Sequence, residues 1–155
     1  MGVAAALIAM TSVAACGEDT ASGSSNRGSG TDTNPISVED AFIVPRSING
    51  FCSLQVGDSA SMRYAVSNSS TTAGDQLVGI RTDEAARVET TPSLPIAVGV
   101  GAIVRSDVGA GAQLSTRLVG LTNSARPGIS FDVTFRFATA GDVVVRVPVE
   151  ACPAS

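Results

Sequence analysis

The chain has 155 residues and a formal net charge of −4, with 14 acidic residues against ten basic ones, every basic one an arginine. It contains no histidine and no lysine, which excludes Ser-His-Asp triads, Cys-His pairs and Ser-Lys dyads as catalytic devices. Acids and arginines are interspersed and aromatic residues are sparse, so no basic stripe or stacking platform points to nucleic acid as a partner.

Residues 1–15, "MGVAAALIAMTSVAA", carry no charge. The run is too short to span a bilayer as a helix and fits the apolar region of an export signal ending in small residues. Val13-Ala14-Ala15-Cys16 resembles a bacterial lipobox. That resemblance implies a diacylglyceryl group on Cys16, removal of the signal peptide, and a new N-terminus at the cysteine. No basic residue precedes the run, the pattern a start codon placed too late would leave. The alternatives are an ordinary signal peptide or a short buried helix. From Gly17 to Pro35 no aliphatic side chain exceeds Ala, so residues 16–35 read as a lipidated cysteine and a flexible polar tether. About 19 such residues reach roughly 25 Å. This places the chain at the cell membrane, lipid-anchored on the extracytoplasmic face. One domain then fills residues 36–155.

With Cys16 lipidated, Cys52 and Cys152 remain. In an oxidising compartment such a pair reads as a disulfide. The bond would close a loop of about 100 residues and contribute at most about 4–5 kcal/mol in the chain-entropy model. A thiolate pair for a soft metal such as Cu(I), or two free thiols, are the alternatives.

The domain's elements are nearly all β. Strands are predicted over 36–44, 60–67, 76–82, 86–90, 96–104 and 112–121. In "ASMRYAVS", Ala60, Met62, Tyr64 and Val66 alternate with Ser61, Arg63, Ala65 and Ser67. "ARPG", residues 125–128, forms a turn before a strand over 129–138. "ISFDVTFRF" sets Phe131, Val133, Phe135 and Phe137 on one face. A tight connection at 139–141 leads to "DVVVRVPVE", which sets Val143, Val145, Val147 and Val149 on one face. Pro148 marks this last strand as an edge. "GVGA" (99–102) and "GAG" (109–111) lack the following helix and lysine of a phosphate loop and read as strand and loop glycines. About eight short strands imply an antiparallel sandwich or Greek-key barrel. The adjacent carboxylates Glu39-Asp40 and Asp83-Glu84 are the obvious acid–base candidates. Strand neighbours point to opposite faces, so neither pair converges if extended, and Asp83-Glu84 falls in a solvated turn.

From Ile36 onward the sequence resembles the periplasmic copper-chaperone family called PCuAC, and its lipoprotein members from actinobacteria in particular. "ISVEDAFIVP" is similar to the family's first strand, with Asp40-Ala41-Phe42 at its Asp-Ala-aromatic step. "SMRYAVSNSSTTAGDQLVGIRTDEAARVE" resembles its strand, Asn-containing turn and D-x-L-V-G strand, with Asp75, Leu77, Val78 and Gly79 in place. "LVGLTNSARPGISFDVTFRFATAGDVVVRVPV" resembles its closing hairpin. The resemblance implies an all-β, cupredoxin-like Greek-key β-sandwich. In copper-binding members a His-x-Met pair precedes the Gly-Leu turn; here it falls on Ser115 and Arg117. An earlier family histidine falls near Thr91. Hydroxyls and a guanidinium do not replace soft Cu(I) ligands. The resemblance therefore carries the fold and leaves the metal site degenerate.

Three functions follow as expectations. The first is a non-catalytic binding or scaffold lipoprotein without cofactor, meeting an envelope protein or a small ligand. The second is a copper or other metal carrier that uses Cys52, Cys152 and Met62 instead. The third is a carboxylate-dependent enzyme.

Overall fold

Apolar residues at every second position give each strand one face that must be buried against another layer. A computed structural model of the chain shows this arrangement and describes residues 28–31, 35–45, 47–48, 51–52, 54–122 and 127–151. Twelve strand segments follow in chain order, beginning with β1 (Gly28–Thr31), β2 (Ile36–Val44), β3 (Ser47–Ile48), β4 (Phe51–Cys52), β5 (Ser59–Asn68) and β6 (Asp75–Arg81). The second half holds β7 (Ala85–Thr91), β8 (Ile96–Val98), β9 (Ile103–Ser106), β10 (Ser115–Leu121), β11 (Ser130–Phe137) and β12 (Gly141–Pro148). Among the described residues no helix is long and apolar enough to cross a membrane.

Ten of these strands form two sheets, and β3 with β4 makes only a two-residue ladder. The six-stranded sheet runs β1-β2-β5-β10-β7, with β9 also on β5. The four-stranded sheet runs β12-β11-β6-β8. All ladders within the sheets are antiparallel. The predicted β-sandwich is therefore observed, with two more sheet strands than expected.

The core lies between the sheets. Met62, Tyr64, Val66 and Leu118 from one side meet Leu77, Val133, Phe135 and Val145 from the other, all almost fully buried. Phe135 meets Tyr64 edge-on, with ring centroids 4.9 Å apart. The alternations read from 60–67, 131–137 and 143–149 hold, and β12 is an edge with Pro148 at its end.

Two expectations fail. Residues 96–104 are not one strand. Ala102 N–H donates to Gly99 O at 3.1 Å, and Gly101 takes φ +64°. This turn carries the chain from β8 in the four-stranded sheet to β9 in the six-stranded one. Nor is the whole of 16–35 a tether, because Gly28–Thr31 pairs with β2. Its glycines are there for close approach. A Cβ at Gly28 would stand 2.1 Å from Arg146 O, and one at Gly30 would stand 2.8 Å from Val145 Cγ2. β1 thus lies against β12, where only glycine fits. The signal segment 1–15 and residues 16–27 lie outside the described residues.

Candidate functional site

The candidate site lies on the outer face of the six-stranded sheet. One edge of β5 is shared. Its first half, Ser59 to Met62, pairs with β10, and its second half, Tyr64 to Ser67, pairs with β9. Residues 107–114 leave the sheet where the two partners change over. This loop is closed by Asp107 N–H donating to Leu114 O at 2.9 Å.

The three positions expected from the sequence come together here. Ser115 stands directly opposite Thr91 on β7, and Arg117 stands between Glu89 of β7 and Ser61 of β5. Arg63, one residue beyond the Met62–Thr116 pair, continues this row toward β2, where it pairs with Phe42. Its guanidinium lies 6.0 Å from the centre of the Phe42 ring and forms an ion pair with Asp107. The Val108 N–H and then the Arg63 guanidinium hold the Asp107 carboxyl below the usual aspartate range. The row thus carries the hydroxyls of Thr91, Ser115 and Ser61, the guanidiniums of Arg117 and Arg63, and the carboxylates of Glu89, paired with Arg87, and Asp107, paired with Arg63.

Beneath the row the hydroxyls of Tyr64, Thr116 and Ser106 are hydrogen-bonded, while Arg63 Nε is buried without a partner. The Tyr64 hydroxyl and Thr116 Oγ1 are 3.0 Å apart, and Ser106 Oγ donates to Met62 O at 3.1 Å. Burial pushes the Tyr64 phenol up to about 12, against smaller opposing effects from Thr116 and Ser106. Met62 itself is fully buried in the core, so its thioether faces neither the row nor solvent. Among the described residues no three His, Cys, Asp or Glu side chains are grouped to hold a metal ion. Cys16 and Cys152 lie outside the described residues. The backbone of Cys52 pairs with Ser47, but its side chain lies outside them too, and so does any Cys52–Cys152 bond.

Two clefts open beside the row. The larger, about 480 Å³, is bounded by Pro92, β8, β9 and the 107–114 loop. The smaller, about 200 Å³, has Phe42 and Ala65 in its lining and shares Arg105 and Asp107 with the larger. Neither cleft was visible in the sequence, since the loop that walls the larger one is placed by contacts distant along the chain.

The carboxylate pairs behave differently from each other. Asp83 and Glu84 fall in the β6–β7 turn, as expected. Glu39 and Asp40 are both exposed, because a bulge between Glu39 and Phe42 puts Asp40 at φ +53° and breaks the alternation. Glu39 accepts from Ser37 Oγ at 2.8 Å, and Asp40 borders the smaller cleft. Asp75, noted in the sequence only as part of a motif, accepts the N–H groups of Thr139 at 2.9 Å and Ala140 at 2.8 Å. It fastens the β11–β12 hairpin turn to β6.

Residues 36–149 match the model of the family described as "Putative lipoprotein LpqE-like". The chain belongs to the LpqE-like family. None of the curated proteins matches it. Among solved structures, this LpqE-like chain is similar to the copper-bound PCuAC domain from PmoF2, with TM-score 0.62, 20% identity, and 79% of this chain and 98% of that one covered. It is also similar to the apo PCuAC domain from PmoF1, with TM-score 0.64, 17% identity, and coverages of 79% and 99%. The apo PmoF2 PCuAC domain gives TM-score 0.61 at 19% identity, covering 81% and 97%. The LpqE-like chain therefore has the PCuAC fold, as its strand motifs imply.

Proposed function

We propose that this LpqE-like protein is a membrane-anchored, extracytoplasmic lipoprotein whose PCuAC-type domain is a non-catalytic binding module without a copper site. One observation carries the reading: Thr91, Ser115 and Arg117 occupy the row next to the Arg63–Asp107 ion pair. The row offers no soft donor. A guanidinium about 5 Å from a bound monovalent cation would also oppose it by roughly 1–3 kcal/mol between bulk-water and near-surface dielectric. The carrier that uses Cys52, Cys152 and Met62 loses its thioether, because Met62 is sealed in the core. The carboxylate-dependent enzyme loses support as well. Asp75 and Asp107 are engaged by backbone N–H groups and arginine, Glu39, Asp40 and Asp83 are exposed, and half-buried Glu84 accepts from Thr122 Oγ1.

The family description and the lipobox-like Val13-Ala14-Ala15-Cys16 support anchoring at Cys16. With β1 starting at Gly28, the tether is residues 17–27, with a reach of roughly 18 Å. The domain would then reach less far from the membrane than a tether running to Pro35 allows. Glu150 N–H donates to Ile43 O at 3.0 Å, so the segments leading to Cys52 and Cys152 leave from one place in the fold. This supports a disulfide between them.

Competition for Cu(I) against a chromophoric chelator, on the full chain with and without reductant, tests the central reading. The expectation is no retention in either state. Tight binding by the reduced chain that disappears on Cys52→Ser and Cys152→Ser would overturn it. Cys16→Ala is expected to move the protein from the membrane to the soluble fraction, and continued membrane association would refute the anchor. Intact mass two hydrogens below that of the reduced chain would establish the disulfide.

A further inference from the structure

The larger cleft has a composition of its own. Ile96, Ile103, Val104 and Leu114 supply an apolar lining, and Arg105 and Gln113 supply polar groups. The volume, about 480 Å³, lies in the range of small-molecule sites, which are apolar with a few placed polar groups. The apolar character extends past the cleft. Ile103, on the cleft's lining, is 53% exposed, and Val100 and Val108 are exposed before and after β9.

The charge around the opening is unbalanced. Asp107 is neutralised by Arg63 and by the Val108 N–H. The Arg105 side chain makes no ion pair or hydrogen bond among the described residues. One guanidinium without a side-chain partner therefore borders a cleft of mixed lining, next to the exposed side chain of Ile103. A guanidinium pairs with a carboxylate through two parallel hydrogen bonds. A hydrocarbon chain attached to that carboxylate would cover Ile103 and Val104.

We propose that this cleft binds a small amphipathic carboxylate, with its alkyl chain along Ile96, Ile103, Val104 and Leu114 and its carboxylate on Arg105. The proposal rests on reading the chain as a binding module and names its ligand class. Calorimetric titration of the full chain carrying Cys16→Ala with decanoate, below micelle-forming concentration, is the test. Decanol and decyltrimethylammonium serve as probes with the same tail and a neutral or cationic head. The expected result is saturable one-to-one binding of decanoate, weakened about tenfold by loss of one charge-assisted contact in Arg105→Gln and weakened similarly by Ile103→Glu. Both side chains are exposed, so the variants should keep the thermal midpoint of the parent. Decanol binding as tightly as decanoate, unchanged affinity in Arg105→Gln, or no saturable binding would each overturn the proposal. Cu(I) competition on the same preparation separates the two readings. A chain that retains neither decanoate nor copper refutes only the ligand, and one that retains copper alone refutes both.

Discussion

Replacing Gly28 with valine tests whether the fold begins at β1 or at β2. In the structure the new Cβ would lie 2.1 Å from Arg146 O, 2.9 Å from Arg146 C and 2.9 Å from Val145 Cγ1. The first two are backbone atoms of β12, which cannot rotate away, so either β1 lifts off β2 or the two strands separate. Overpacking of this kind costs about 1–3 kcal/mol. For a domain of this size that lowers the thermal midpoint by roughly 4–12 °C. The alternative predicts no change. If residues 28–31 were free tether in the folded state as well, valine would meet no clash and would restrict the folded and unfolded chains alike. Thermal unfolding by circular dichroism should show the drop for Gly28→Val and little change for Ser29→Val, whose side chain is exposed. Amide exchange should show residues 28–31 losing protection in the first variant alone. A midpoint for Gly28→Val equal to or above the parent's, with unchanged exchange, would refute the packing of β1 on β12.

Other expectations follow from the same contacts. Asp75→Asn should lose about 1–2 kcal/mol, the value of charge-assisted bonds reduced for a side chain open to solvent. Partial burial pushes the Asp75 carboxyl up, but the N–H groups of Gln76, Thr139 and Ala140 outweigh it and hold it below its ordinary value. A lowered folded-state pKa gives stability that is complete above the ordinary aspartate value near 3.9 and is lost as pH falls through the lowered one. Urea unfolding of parent and Asp75→Asn should therefore differ at pH 7 and converge in strong acid, and a constant difference across that range would contradict the assignment. Tyr64 is the single tyrosine of the chain, so absorbance near 295 nm reports it alone. Its folded-state pKa is raised to about 12, so its contribution is complete below the ordinary value near 10 and is lost as pH rises through 12. The titration should start above pH 10 or coincide with alkaline unfolding, and a reversible midpoint near 10 in the folded protein would show the phenol open to water.

The sandwich was legible because its strands are half-buried, and half-burial writes a period of two into the sequence. Phe131 to Phe137 and Val143 to Val149 could be read without error for that reason. The break at Gly99–Ala102 was not legible, since residues on both sides of the turn continue an apolar pattern while joining different sheets. β1 was hidden by its own packing. Gly28 and Gly30 must be glycine to approach β12, and glycines between serines look like a linker. The site was half legible. The strand register brings Thr91 and Ser115 face to face, as their shared place in the family pattern implies. The Arg63–Asp107 ion pair joins residues 44 apart, and nothing local in the sequence announces it.

The account rests on the proposal that the row of Thr91, Ser115 and Arg117 holds no copper ion. The most direct test is Cu(I) competition on the full chain beside a variant carrying Thr91→His, Ser115→His and Arg117→Met, under reducing conditions. The wild-type chain should leave the chelator's spectrum unchanged, while the variant withdraws copper from it. Equal and tight copper retention by wild type and variant would contradict the account.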